Sequence, residues 1–385
     1  MRFLRITQSM NPVQGGVVEA INQAALSLNN ETTTMDVLCF DDSDSPWLKS
    51  TRNYTVHALG RGRTAYGFNF YYLLWLYKNA KKYDAVIIDG LWQFFVIGGY
   101  LLKLFKVPYC VFSHGMMSPY FNKDRLKYLK KLPFWLAIDR NVIAMASSVI
   151  FTCEEERNLA EDSLPFYRGK AAVSTLGVSG SFGEKLVLKN TFENEFPELV
   201  NKKIILYLSR LHAIKGVDIL IDAIAQLKDF PSDHVLAIAG PDYAGMEEKL
   251  FKQVIKLGLQ DRIIFLGMLS GDVKWGAYHA ADVFILPSHQ ENFGIVVAEA
   301  LSTGTPVLIT NKVNIWREID VAGAGFVSND DILGVKALLE QWFSLPDDLK
   351  VDMSVRAHTC YEDNFSATSA TSALKEVLLN VSGSK

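Results

Sequence analysis

Two carboxylates separated by seven intervening residues offer the clearest chemistry in the chain, in Glu291-Asn-Phe-Gly-Ile-Val-Val-Ala-Glu299. Apolar runs flank them at 283–286 and 306–309, each short enough for a buried parallel strand. Helical periodicity over 294–301, with Asn292 as the expected cap and Gly304 as the expected stop, puts Glu291 in a loop and Glu299 inside a helix. A helix start presents unpaired N–H groups and partial positive charge, which suits a diphosphate. With about 1.5 Å of rise per residue the carboxylates stand roughly 9–12 Å apart, a match to the span from sugar to ribose in a sugar nucleotide. Each can accept hydroxyl hydrogen bonds. Taken alone, the pair also describes a solvated loop acid and a helix-surface acid.

A basic pair lies upstream. Ser209-Arg210-Leu-His-Ala-Ile-Lys215-Gly216 follows an apolar run at 204–208, so two cations sit just past a strand end. In isolation they read as surface charges. Near the amino terminus, a strand at 3–6 leads through Asn11-Pro-Val-Gln-Gly15-Gly16 into an apolar helix at 17–28, a phosphate-cradle topology without a G-x-G-x-x-G fingerprint. Two such glycines also serve a purely conformational turn. Ser113-His114-Gly115 closes a strand at 109–112, at the carboxyl edge where doubly wound sheets place ligands. A lone histidine is otherwise more often structural.

The elements that must position these groups alternate. In the first half, strands are expected at 3–6, 35–40, 85–88, 109–112 and 144–152, with an aromatic amphipathic helix near 66–77 packed on the sheet. In the second half, strands at 204–208, 235–239, 263–266, 283–286 and 307–309 alternate with helices near 216–227, 246–257, 273–280 and 294–301. Both halves therefore read as parallel α/β domains. Residues 179–201 mix Gly, Ser, Lys, Glu and Asn without sustained periodicity, as a linker does.

Glu-x7-Glu followed by Ala300 and Gly304-Thr305-Pro306-Val307, together with the Arg210/Lys215 segment, Gly15-Gly16 and Ser113-His114-Gly115, resembles the retaining family 4 glycosyltransferases, a bacterial polysaccharide-type hexosyltransferase family. The resemblance implies the GT-B fold, with two Rossmann-like doubly wound domains facing a central cleft. The domains would span residues 1–178 and 202–360, joined by the 179–201 linker, with a helix at 361–385 returning to the first. It further implies that His114 contacts the transferred sugar, that Arg210 and Lys215 neutralise the leaving diphosphate, and that Glu291 holds sugar hydroxyls while Glu299 holds the ribose. Backbone contacts near phosphate and sugar fall to Asn292, Phe293, Gly294, Ile295 and Val296. Gly15 and Gly16 would lie against the diphosphate, and Gly240, Gly267 and Met268, at two strand ends, would meet phosphate and uracil. The donor is expected to be UDP-glucose and the acceptor a sugar or lipid-linked sugar. Retention would proceed by same-face attack assisted by the phosphate, with no covalent glycosyl-enzyme.

Composition narrows the class. Of 385 residues, 49% are hydrophobic and 21% charged, enough to bury two cores. A formal charge of −3 argues against a general nucleic-acid binder. Residues 1–180 hold 20 Lys/Arg against 15 Asp/Glu, so that half is basic. Cys39, Cys110, Cys153 and Cys360 are scattered with no signal peptide ahead of them, which fits a reducing cytoplasm. Asp42-Ser-Asp44 contains the Asp-x-Asp used by metal-dependent glycosyltransferases, yet no further oxygen-ligand cluster stands nearby, so no metal is expected. Lys123, Arg125, Lys127, Lys130 and Lys131, interleaved with leucines and followed by Phe134 and Trp135, suit either an anionic membrane surface touched by residues 123–135 or a solvated helix face. A cytoplasmic enzyme, peripheral at the inner membrane, is the expectation. A sugar-nucleotide epimerase or hydrolase and a catalytically silent sugar-binding protein remain as alternatives.

Overall fold

The computed structural model describes residues 1–49, 52–64, 66–119, 125–161, 163–165 and 167–383. The chain divides into two compact units, one comprising Met1–Gly177 and Ala367–Lys385, the other Val178–Ser366. In chain order the first unit carries β1 (Arg2–Ile6), α1 (Gly16–Leu28), β2 (Thr34–Cys39), β3 (Val56–Ala58), α2 (Phe70–Asn79), β4 (Ala85–Asp89), α3 (Gly98–Leu104) and β5 (Tyr109–Phe112). It continues with α4 (Arg125–Phe134), α5 (Arg140–Met145), β6 (Ser148–Phe151), α6 (Glu154–Glu161) and β7 (Ala171–Val173). Its sheet runs β3-β2-β1-β4-β5-β6-β7, every pair parallel. The central strands are near-continuous apolar runs because helices cover both faces, so alternation has no role there.

The second unit carries α7 (Lys185–Glu195), β8 (Lys203–Leu208), α8 (Val217–Ala225), β9 (His234–Ala239), α9 (Met246–Leu257), β10 (Ile263–Gly267), α10 (Gly271–Ala280) and β11 (Ala281–Leu286). Then follow α11 (Ile295–Ser302), β12 (Val307–Thr310), α12 (Trp316–Ala322), β13 (Gly325–Ser328), α13 (Ile332–Ser344) and α14 (Asp347–Asn364). Its parallel sheet has the order β10-β9-β8-β11-β12-β13. The last helix, α15 (Ala367–Ser382), belongs to the first unit and packs on α1 through a face that includes Ala370, Leu374 and Leu378.

Two expectations change here. Residues 179–201 are not a bare linker: α7 buries Leu188 and Phe192, one turn apart, against α10. Gly276 permits the close approach, since a Cβ there would stand 2.2 Å from the Leu188 carbonyl oxygen. The exposed Leu186 and Val187 beside Leu188 blur the helical period, so the two buried anchors leave too weak a periodic signal. The return to the first unit starts at Ala367 rather than at Tyr361, because the chain breaks at Phe365-Ser366 and residues 361–364 still belong to α14.

Candidate active site

In the second unit the strand order reverses at β8: β9 and β10 lie on one side, β11 to β13 on the other. Such a switch point opens a crevice at the carboxyl ends of β8 and β11. The loop after β8 ends in a short turn, Ala213–Lys215, capped by His212, whose Nδ1 accepts from the Ile214 N–H at 3.0 Å. The loop after β11 is tied to it, since the His289 N–H donates to the Ile214 carbonyl at 2.8 Å. Gly216 follows with φ 69°, and a Cβ there would stand 2.0 Å from the Pro287 carbonyl oxygen, so the two loops meet backbone to backbone.

These constraints bring Lys215 and Glu291 together as an ion pair. Lys215 is 7% exposed. Glu291 is held by its backbone, donating to the Lys312 carbonyl at 2.8 Å and accepting from the Asn314 N–H at 3.0 Å. Both groups are thus largely dehydrated and aimed before any ligand arrives, and an incoming anion competes for Lys215 with a carboxylate that is itself a hydroxyl acceptor. Arg210 is exposed, and its guanidinium has no partner among the described residues.

α11 starts beside this pair. Its cap is Gly294 in the left-handed region (φ 77°, ψ 61°), with no side-chain cap. Asn292 therefore does not cap the helix as the sequence suggested; its Oδ1 accepts from Asn314 Nδ2 at 3.4 Å. An uncapped start leaves the first N–H groups to an anion. The Phe293 ring is buried and packs edge-on to Phe365 at 5.7 Å, while Ile295 and Val296 form the first turn.

Glu299, further along α11, has partners the sequence reading missed. Lys274 Nζ lies 2.8 Å from one oxygen, and the Tyr278 hydroxyl donates to the other at 2.9 Å. Burial, then the Glu299 charge, pushes the Tyr278 phenol well above its ordinary range, so it stays a donor. Lys274 and Tyr278 are one helical turn apart on α10, a spacing that could have flagged them. Gly240 has φ 142°, donates to the Gly267 carbonyl at 2.8 Å, and would place a Cβ 1.8 Å from the Ser209 carbonyl oxygen, so only glycine fits. Gly267 is also left-handed, and Met268 beyond it is exposed.

The first unit has its own switch point at β1. Arg5 of β1 and Asp89 at the end of β4 form a buried bidentate pair, at 2.7 and 2.8 Å. His114 Nε2 lies 2.6 Å from the same Asp89 carboxylate, and its ring stacks on Phe112 at 4.1 Å. His114 Nδ1 is buried with no partner among the described residues. Burial alone would raise the Asp89 pKa; the Arg5 charge and the His114 bond outweigh it and bring it to about 2. His114 itself has φ 47°, a conformation that costs a non-glycine residue on the order of 1 kcal/mol. Glu156 of α6 supports this turn, accepting from the Gly115 N–H at 2.6 Å and from the Ser113 hydroxyl. Gly15 is left-handed and caps α1, which begins at Gly16. Asp41 braces the approach to that loop, accepting from the Ser9 hydroxyl at 2.6 Å and the Met10 N–H at 2.7 Å. Asp42 pairs with Arg61.

The basic stretch after Ser118 is altered. Lys123 and the side chains of Arg125 and Lys127 lie outside the described residues. Trp135, expected at a membrane interface, is fully buried and donates to the Pro165 carbonyl at 2.8 Å. Lys131 lies over the Trp92 ring at 4.2 Å. Lys130 and Phe134 remain exposed.

Comparison with known proteins covers both units. Residues 15–177 match the model described as "Glycosyl transferase 4-like domain" and residues 189–357 the one described as "Glycosyl transferases group 1". An uncharacterized glycosyltransferase, MJ1607, of Methanocaldococcus jannaschii is 26% identical over 274 residues, covering 69% of this chain and 68% of that one. The D-inositol 3-phosphate glycosyltransferase of Mycolicibacterium smegmatis is 36% identical over 110 residues, which span 28% of this chain and 25% of that one. The crystal structure of HepE from Anabaena in complex with UDP and glucose superposes with a TM-score of 0.72 at 19% identity, covering 99% of this chain and 100% of that one.

Proposed function

We propose, from the premise that a chain with a glycosyltransferase domain in each half is a glycosyltransferase of the GT-B fold, that it moves a hexose from UDP-glucose to a sugar or lipid-linked sugar acceptor with retention of configuration. The observation that carries the proposal is the Lys215–Glu291 pair beside the uncapped start of α11. Negative charge accumulates on the departing phosphate oxygen as the sugar becomes oxocarbenium-like, and fixed cations with helix N–H groups stabilise it. Arg210 and Lys215 take the diphosphate, Glu291 the sugar hydroxyls and Glu299 the ribose. Asn292 to Val296, Gly15, Gly16, Gly240, Gly267 and Met268 supply contacts near phosphate, sugar and base. His114 contacts the transferred sugar, its Nδ1 accepting a hydroxyl while Asp89 holds the opposite nitrogen. The UDP and glucose bound by HepE support the choice of donor. No covalent intermediate forms; the acceptor attacks on the face the phosphate leaves.

Incubation with a panel of nucleotide sugars, with and without acceptor, tests this reading. UDP release from UDP-glucose that depends on acceptor is the expected result. Conversion of the donor without acceptor would indicate an epimerase or hydrolase, and no turnover of any donor a silent binding protein.

The reaction runs without a divalent ion, because cationic side chains and a helix start do its work, and the Asp-x-Asp carboxylate of Asp42 is engaged by Arg61. EDTA should leave the rate largely intact. Loss of activity on chelation, restored by manganese and abolished in Asp42→Ala or Asp44→Ala, would overturn metal independence.

Among the described residues no helix is long and apolar enough to cross a membrane. The enzyme is proposed to act in the cytoplasm, at the inner membrane surface, on a lipid-linked or polysaccharide precursor.

A further inference from the structure

We infer that the outward face of α2 and α3 is a docking surface for an anionic phospholipid bilayer. α2 turns Tyr72 and Leu76 into the core and leaves Phe70, Leu74 and Tyr77 outward, at i, i+4 and i+7. Tyr77 is 67% exposed. α3 adds Tyr100 and Leu104, the latter 71% exposed. Between the helices runs a groove of about 490 Å³ lined by Leu73, Leu74, Tyr77, Ile97, Tyr100 and Leu101. Its lining carries no charged side chain. The Tyr100 hydroxyl donates to the Ala137 carbonyl at 3.2 Å, and the adjacent Leu136 is exposed, so the apolar surface extends past α3. Contiguous apolar surface of this kind marks an interaction site rather than chance exposure.

Its border identifies the occupant. Lys78, Lys81, Lys82, Lys103 and Lys106 are all exposed around the two helices. Between residues 66 and 106 the only acids are Asp84, which accepts from the Arg2 N–H, and Asp89, buried with Arg5. Lys81 reaches over the Phe105 ring at 5.4 Å, an alkyl stem lying on apolar surface with its charge at the edge. A partner must therefore be apolar at the centre and anionic at the border, as acyl chains beneath acidic headgroups are. Tyrosines suit the interfacial depth. A second copy of the same face would bring five lysines against five and is disfavoured.

The inference rests on the surface-acting part of the proposed function and not on the donor site. Full-length protein is sedimented with vesicles of phosphatidylcholine containing graded phosphatidylglycerol, at low and high salt. Wild type should pellet in proportion to anionic lipid and be released by salt. The set Lys78→Ser, Lys81→Ser, Lys103→Ser and Lys106→Ser should lower partitioning by up to several hundredfold, at roughly fivefold per lysine near the surface. Tyr77→Ser with Leu104→Ser should weaken it at every salt concentration, while UDP release with a soluble acceptor stays unchanged. Three results would overturn the inference: no pelleting of wild type; normal pelleting of both α2/α3 variants with loss in Lys130→Ser/Lys131→Ser; or a wild-type dimer that Tyr77→Ser/Leu104→Ser makes monomeric. Vesicle binding by a chain that turns over no nucleotide sugar would overturn the donor reading and leave the docking surface standing.

Discussion

Replacing Lys215 or Arg210 by Ala is expected to lower turnover by about 10²–10³-fold, the size for removal of a preorganised charge from the departing phosphate that the two residues are proposed to hold. The two variants differ in their side effects. Arg210 is exposed, so Arg210→Ala should melt like wild type and lose rate alone. Lys215→Ala leaves the Glu291 carboxylate without its counterion in a largely dehydrated loop, so some stability goes with the rate. Steady-state kinetics separate the contributions: a charge felt mainly in the transition state lowers kcat and kcat/KM together, whereas one that only binds the donor raises KM. Near-normal kcat in both variants, with a donor the wild type uses, would remove the diphosphate from this crevice.

Asp89→Ala destabilises the first unit by about 3–5 kcal/mol, because it strands the Arg5 guanidinium in the core without a counterion. At roughly 2–4 °C per kcal/mol for a unit of this size, the melting transition falls by on the order of 10 °C. The same pair sets a dependence on pH. The Asp89 pKa is about 2 in the folded chain, below the unfolded value. Its stabilisation is therefore fully present above the unfolded carboxylate range and is lost as pH falls toward 2. Thermal melts from pH 7 down to pH 2.5 should show wild type losing ground to the variant across that window. A parallel decline of both proteins would mean that Asp89 is not the group responsible.

The parallel core was legible because its strands are apolar runs of the right length between turns. β1, β2, β4, β5, β8, β9, β10, β11 and β12 each lie within a residue or two of the expected position. β3, β7 and β13 were not anticipated: each is three or four residues long and they include three of the four sheet edges, where one-sided pairing demands little apolar sequence. The strand expected at 144–152 begins at Ser148, since residues 144–145 finish α5. At the site, Glu291 and Glu299 stood out by type and spacing, whereas Arg210 and Lys215 read as surface charges in isolation and were singled out only by the family resemblance; the Lys215–Glu291 contact joins loops after two non-consecutive strands and no spacing encodes it. Arg5 could have been read: an arginine in the middle of a buried strand requires a buried carboxylate, and Asp89 ends the neighbouring strand. Trp135 misled because an aromatic beside lysines has the same sequence appearance whether it faces lipid or core.

The division of the chain has a consequence for biosynthesis. Residues 178–366 form one unit inserted within the other, and the ends of the insert are adjacent: the Val178 N–H donates to the Phe365 carbonyl at 2.9 Å, and the Tyr361 hydroxyl to the Val178 carbonyl at 2.8 Å. During translation the inserted unit can therefore complete itself while the first unit is still lacking α15. At about 5–20 residues per second, the ribosome takes on the order of ten seconds or more to traverse the insert. Throughout that interval the surface of α1 that α15 will cover is bare, presenting an apolar groove to holdase chaperones or to a neighbouring nascent chain. The unit made first is thus the one finished last, and its vulnerable period is set by the length of its guest.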